Sequence, residues 1–171
     1  VTRGTAAVAG IHVHAVDGAS GAYFTRATTD ASGAFTLHVP ASASVRLDAI
    51  GRGETIVTAQ AGTGAGPIAI DLPALGQLRV TAVEGTTAVP ARVQVLPAGG
   101  QGVPNIPVKY GEPPLPGGRL QVEFATSGTT TLQVPPGSWE VIVSRGYEYE
   151  LVRQTVTVTA GGGGSGVLMS G

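Results

Sequence analysis

Through most of this chain apolar residues fall at every second position, the period of a strand with one buried face. Ile11, Val13 and Ala15 alternate with His12 and His14, and the run over residues 7–16 ends at Asp17-Gly18, with Ser20-Gly21 completing the turn. Residues 23–28 read as a second strand, in which Tyr23 and Phe24 point to opposite faces. Phe35, Leu37 and Val39 alternate with Thr36 and His38 and stop at Pro40, after a turn in which Asp30 caps and Gly33 accepts positive φ. Val45, Leu47 and Ala49 continue the pattern, Gly51-Arg52-Gly53 turns the chain, and residues 55–59 and 68–72 finish the series.

A second series begins at Gly76. Strands are predicted over residues 78–82, 91–96, 120–124, 130–134, 139–143 and 149–158. Residues 97–118 break the rhythm, with Pro97, Pro104, Pro107, Pro113, Pro114 and Pro116 in a Gly-rich stretch. A stretch of that length without regular structure reads as an ordered or functional excursion loop. The two series share an echo. Phe35-Thr36-Leu37-His38-Val39-Pro40 returns as Thr130-Thr131-Leu132-Gln133-Val134-Pro135, each followed by an alternating strand and an Arg-Gly turn. The expected fold is therefore all-β: two tandem antiparallel β-sandwiches, one over residues 1–74 and one over 75–160 that carries the 97–118 loop, then a Gly-rich tail over 161–171.

Composition narrows the function. With 27 Gly, 12 Pro and only 12% charged residues, the chain suits short strands and tight turns. The net charge of −1 is evenly spread, so nucleic-acid binding has no electrostatic basis. No apolar run approaches the roughly 20 residues of a membrane helix, so membrane insertion is not expected. Without cysteine there is neither a disulfide framework nor a thiolate metal site. The chain opens at Val1 without a leader and closes in glycine, so it is expected to be a piece of a larger exported protein, extracellular or periplasmic.

The first series resembles the carboxypeptidase regulatory-like, or transthyretin-like, module. The resembling residues are Ala9-Gly10-Ile11-His12-Val13, Asp17, Ser20-Gly21, Thr28-Thr29-Asp30-Ala31-Ser32-Gly33-Ala34-Phe35 and Val39-Pro40. The second resembles the β module that precedes the catalytic domain in bacterial metallohydrolases of the CehA/McbA type, on Pro90-Ala91-Arg92-Val93, Val134-Pro135-Pro136-Gly137-Ser138-Trp139, Ser144-Arg145-Gly146-Tyr147-Glu148-Tyr149-Glu150 and Val156-Thr157-Val158. That resemblance implies a downstream domain of the polymerase-and-histidinol-phosphatase (PHP) kind. None of that domain lies in this chain.

Candidate chemistry is sparse. His12 and His14 lie on one strand face, where two imidazoles can share an ion. Their alternation with Ile11, Val13 and Ala15 reads instead as solvent-facing, and the sequence offers no acidic cluster beside them. They are the only metal candidates, and no cofactor is expected. No Ser/His/Asp set stands out, so no catalytic residue is named and the chain reads as a non-enzyme. Arg145, Tyr147, Glu148 and Tyr149 are interface candidates, since Arg and Tyr favour interface hot spots, although a self-paired turn explains them as well. Trp139 reads as core. Ile106, Val108 and Tyr110 are binding-loop candidates on the Pro-stiffened stretch. The expected role is a non-catalytic accessory region that packs against a neighbouring domain of the same polypeptide. The alternative is a module for carbohydrate or another cell-surface ligand.

Overall fold

The computed structural model describes residues 1–41, 44–61, 66–98, 100, 104–146 and 149–165. Strands dominate: β1 (Thr2–Arg3), β2 (Ala6–Ala7), β3 (His12–Asp17), β4 (Tyr23–Thr28), β5 (Val45–Ile50), β6 (Val57–Ala61), β7 (Gly76–Thr81), β8 (Val83–Glu84), β9 (Thr87–Ala88), β10 (Ala91–Pro97), β11 (Gln121–Ala125), β12 (Thr129–Val134), β13 (Gly137–Ser144), β14 (Val152–Val158) and β15 (Gly163–Ser165). Among the described residues the remaining regular structure is short 3-10 turns at Val108–Tyr110 and Pro116–Gly118. The protein is an all-β, sandwich-type fold. It divides into two compact units, Val1–Pro73 with Pro104–Pro113, and Ala74–Val103 with Pro114–Gly171.

The first unit is built on one antiparallel sheet in the order β4-β3-β5-β6. Alternation along the central strands gives it two faces. Val13 and Ala15 of β3, with Val45, Leu47 and Ala49 of β5, point to the inner face and are buried there with Ile11, Ile70 and Leu72. Phe35, Leu37, Val39 and Ile68 pack onto the same layer. The segments that carry them are not strands. Residues 34–40 alternate between half-buried and exposed but form no ladder, and residues 68–72 contribute one isolated parallel bridge, Thr2 to Asp71. Alternation reports which side of an extended segment is dry; a ladder also needs a neighbouring strand with free backbone groups. The turn before this cover matches its sequence signals. Asp30 Oδ1 accepts from the Ser32 amide at 2.8 Å and the Ala34 amide at 3.0 Å. Gly33 sits at φ +72°, where an added Cβ would lie 2.2 Å from the Val1 carbonyl oxygen.

The second unit has an antiparallel sheet β11-β10-β13-β14 and a smaller sheet β12-β7-β15, with a β8-β9 hairpin. Leu78, Val80, Leu132 and Val134 from the smaller sheet share one core with Val93, Val95, Trp139, Val141, Val143, Val156 and Val158 from the larger. Trp139 is core, and its indole N–H donates to the Pro135 carbonyl at 2.8 Å. The echoed segments part company here. Residues 129–134 pair along their whole length with β7, whereas 35–40 pair with nothing.

Residues 104–113 depart from the expected layout. Flanked in sequence by the second unit, they belong to the first, against the outer face of its sheet. The reason is apolar. Val16 and Ile50 are buried on that outer face, and Tyr110, Ile106 and Ile56 complete a small cluster with them.

Candidate clasp on the outer face of the first sheet

The β3 register sets the outer face of the sheet. His12 lies opposite Thr28 and Ile50, His14 opposite Arg26 and Asp48, and Val16 opposite Tyr23 and Arg46. One strand further, Thr58 of β6 lies opposite Asp48. Directly opposed residues share a face, so two histidines, two arginines and an aspartate are gathered under residues 104–113.

Two carboxylates organise this layer. Glu112, near the end of the 104–113 strap, reaches back across about a hundred residues of sequence. Its Oε1 lies 2.7 Å from His12 Nδ1 and 2.8 Å from His14 Nε2, and its Oε2 lies 2.9 Å from His12 Nδ1. The Arg26 guanidinium adds a contact to the same Oε1 at 3.3 Å. Asp48, on β5, holds the strap two residues earlier, at Tyr110. Tyr110 donates its hydroxyl to Asp48 Oδ2, Thr58 donates to Oδ1 at 2.9 Å, and Arg46 closes a two-pronged pair at 3.1 and 3.2 Å. The Tyr110 ring lies flat on His14, centroids 4.4 Å apart and planes 22° apart, with Tyr23 tilted beside both. Lys109 donates to the Gly21 carbonyl at 2.7 Å.

The electrostatics follow from burial and partners. Burial alone raises the Glu112 carboxyl, but hydrogen bonds from the two histidines outweigh it and hold the group below its ordinary value. Asp48 behaves alike: desolvation opposes its charge, and Tyr110, Thr58 and Arg46 together win. Desolvation pushes Tyr110 up, reinforced by its bond to Asp48. His14 is fully buried, and desolvation dominates to push it down, favouring neutral imidazole. A neutral ring that donates from Nε2 leaves Nδ1 as a bare lone pair, and His14 Nδ1 is buried with no hydrogen-bond partner.

Several expectations need correction. His12 and His14 do not face solvent: the outer face is covered, His14 completely and His12 in part. The alternation located their side of the sheet correctly, but it carries no information on whether that side is wet. Their acidic partner is Glu112, distant in sequence, which no local spacing reveals. Tyr110 is buried and Ile106 half-buried, so neither is an exposed binding residue; Val108 is 96% exposed. In the second unit Arg145 contacts Glu84 Oε2 and the Tyr149 hydroxyl, both at 3.0 Å, and lies over the Tyr149 ring at 4.6 Å. Tyr149 itself packs partly on the core. Tyr147 and Glu148 lie outside the described residues.

His12, His14 and Glu112 place ligand atoms within 4.8 Å of one another, which makes them the group among the described residues fit to hold a metal ion. No described helix is long and apolar enough to cross a membrane.

No family model matches the chain, and no curated protein matches it. Among solved structures it is similar to the minor pilin GBS52 of Streptococcus agalactiae, at 13% identity and a TM-score of 0.43, over 96% of this chain and 83% of that one. It is also similar to the Bacillus anthracis TIE protein, at 13% identity and a TM-score of 0.36, over 100% of this chain and 31% of that one.

Proposed function

We propose that the chain is a non-catalytic accessory region of a larger extracellular or periplasmic protein, a β scaffold that positions a neighbouring domain. The observation that carries this reading is how the buried polar groups are used. Glu112 is bound by His12, His14 and Arg26, and Asp48 by Arg46, Thr58 and Tyr110, so the carboxylates that elsewhere serve as bases are here spent on seating a loop. The segment over residues 104–113 is thereby used for construction. It leaves Val108 as the fully exposed apolar side chain of the strap.

The neighbouring domain we propose is a metal-dependent hydrolase of the PHP kind. What supports it is the resemblance around Ser144-Arg145-Gly146 and Trp139, and nothing in the fold depends on it. Two assays, one on the whole parent protein and one on the isolated chain, test the reading. Deleting residues 1–171 should lower the thermal stability or the turnover of the hydrolase domain, while residues 1–171 alone should hydrolyse no phosphomonoester or carboxylic ester. Turnover by the isolated chain that disappears in Glu112→Gln would make it an enzyme. A parent reading frame with no hydrolase domain would remove the proposed partner.

A further inference from the structure

Three side chains with metal-ligand chemistry meet on the first unit from two distant segments. His12 and His14 are neighbours on one face of the central strand β3, where the ladders to β4 and β5 fix the backbone. Glu112 arrives on the strap, anchored by Tyr110 two residues before it. Two imidazoles and a carboxylate are a donor set for borderline divalent ions, used for zinc and for non-haem iron. The donor atoms are already close: His12 Nδ1 and His14 Nε2 lie 2.7 and 2.8 Å from the same Glu112 oxygen. Around a tetrahedral ion with bonds of about 2.1 Å, neighbouring ligands sit about 3.4 Å apart. The two N–O gaps must widen by about 0.6–0.7 Å while the two ring nitrogens, within 4.8 Å of each other, settle to the same spacing. The His12 side chain, 33% exposed, and the strap can supply that movement.

We propose that His12 Nδ1, His14 Nε2 and the Glu112 carboxylate bind one divalent transition-metal ion, with Zn2+ the best fit, which clasps the 104–113 strap to β3. This goes beyond the accessory reading and stands whether or not that reading holds. The ion takes the place of the ring protons now pointing at Glu112. Ligation uses the lone pair of the coordinating nitrogen, which leaves the ring proton on the far nitrogen, Nε2 of His12 and Nδ1 of His14. Two features set the affinity below that of a structural zinc finger. His14 Nδ1 finds no acceptor for its relocated proton, and such second-shell partners are worth about 10–100-fold in affinity. Arg26, at 3.3 Å from Glu112, must also swing aside, which its roughly half-exposed side chain permits. The expected dissociation constant is on the order of micromolar.

The test uses the whole chain, free of any tag and treated with chelator, titrated with Zn2+ by calorimetry and with Co2+ by visible absorption. One ion per chain should bind, the Co2+ spectrum should show nitrogen–oxygen coordination, and the melting temperature of the first unit should rise by about 5 °C at saturating Zn2+. Glu112→Gln and His12→Asn, both near-isosteric and only partly buried, should each weaken binding at least about tenfold and abolish the Co2+ bands. His38→Ala, at the remaining and exposed histidine, should change neither. No saturable binding below millimolar Zn2+ overturns the proposal. So does binding that survives in both Glu112→Gln and His12→Asn with circular dichroism unchanged.

Discussion

Trp139 in the second unit and Tyr110 in the first are both 2% exposed, yet they are buried by different means. Trp139 is closed in by two sheets whose strands alternate apolar residues toward a shared layer, and one N–H bond to Pro135 settles its polar edge. Tyr110 is closed in by a sheet face that carries histidines, arginines and an aspartate, and its position depends on a hydroxyl bond to Asp48 and a ring stacked on His14. The second unit has one dry interior. The first has a dry inner layer and a polar outer layer that becomes buried only when the strap is seated. Apolar packing is indifferent to pH; a layer of paired charges is not. The outer layer of the first unit gathers His14, Asp48 and Glu112, each held below its ordinary value, and Tyr110, held above it.

The contrast breaks most sharply at Trp139. Trp139→Ala removes the largest fully buried side chain and should cost the second unit about 3–5 kcal/mol, read as lost hydrogen-exchange protection in β10 and β13. In the first unit, Tyr110→Phe keeps the ring and deletes one bond to a charged group. It should cost about 1.5–3 kcal/mol, seen by chemical denaturation as a loss confined to β3–β5 and the strap. Were Tyr110→Phe neutral, Asp48 would not be what seats the strap.

Acid sharpens the difference further. The folded-state pKa of His14 is depressed, so the stability it contributes is complete above the unfolded value of 6.5 and is lost as pH falls below it. Asp48 and Glu112 are depressed too; their contributions are complete above unfolded values of 3.8 and 4.5 and are lost on further acidification. Metal-free protein should therefore begin to loosen in the first unit as pH drops below about 6.5 and open more steeply below about 4.5, while Trp139 fluorescence stays native. Parallel melting of both units with pH would contradict the contrast. The smallest effect belongs to Val108→Ser. At 96% exposure it should change stability by less than about 0.5 kcal/mol, and a larger loss would mean that the strap tip is covered.

What the sequence disclosed divides along the same line. The second unit's strands β7, β10, β12 and β13 follow from alternation because each sits in a ladder with one face on a shared core. In the first unit alternation found β3, β4 and β5 but also promised strands at 35–39 and 68–72. Those segments are extended and half-dry without a full ladder: 35–39 pair with no strand, and 68–72 make only a single bridge to Thr2. The clasp was the least legible part. His12 and His14 were visible as a pair, but Glu112 and Asp48 join them through tertiary structure alone, and no spacing encodes a contact across a hundred residues. Two signals did exist. Val16 and Ile50 are apolar on the face that the histidines share, which is unexpected for a surface in water, and the Pro-rich loop was too long to be idle.

The seated strap is the claim on which the rest stands, and the chain offers a clean probe of it. Lys109 is the single lysine, and it lies in the strap beside buried Tyr110. A lysine-specific endoproteinase must therefore pull residues around 109 off the sheet before it can cut. Native protein at pH 7.5 should resist cleavage for hours, and Glu112→Gln and Tyr110→Phe should each be cut at least about tenfold faster. Prompt cleavage of the native chain, at the rate of an unfolded peptide, would show that the strap is free and the clasp does not form.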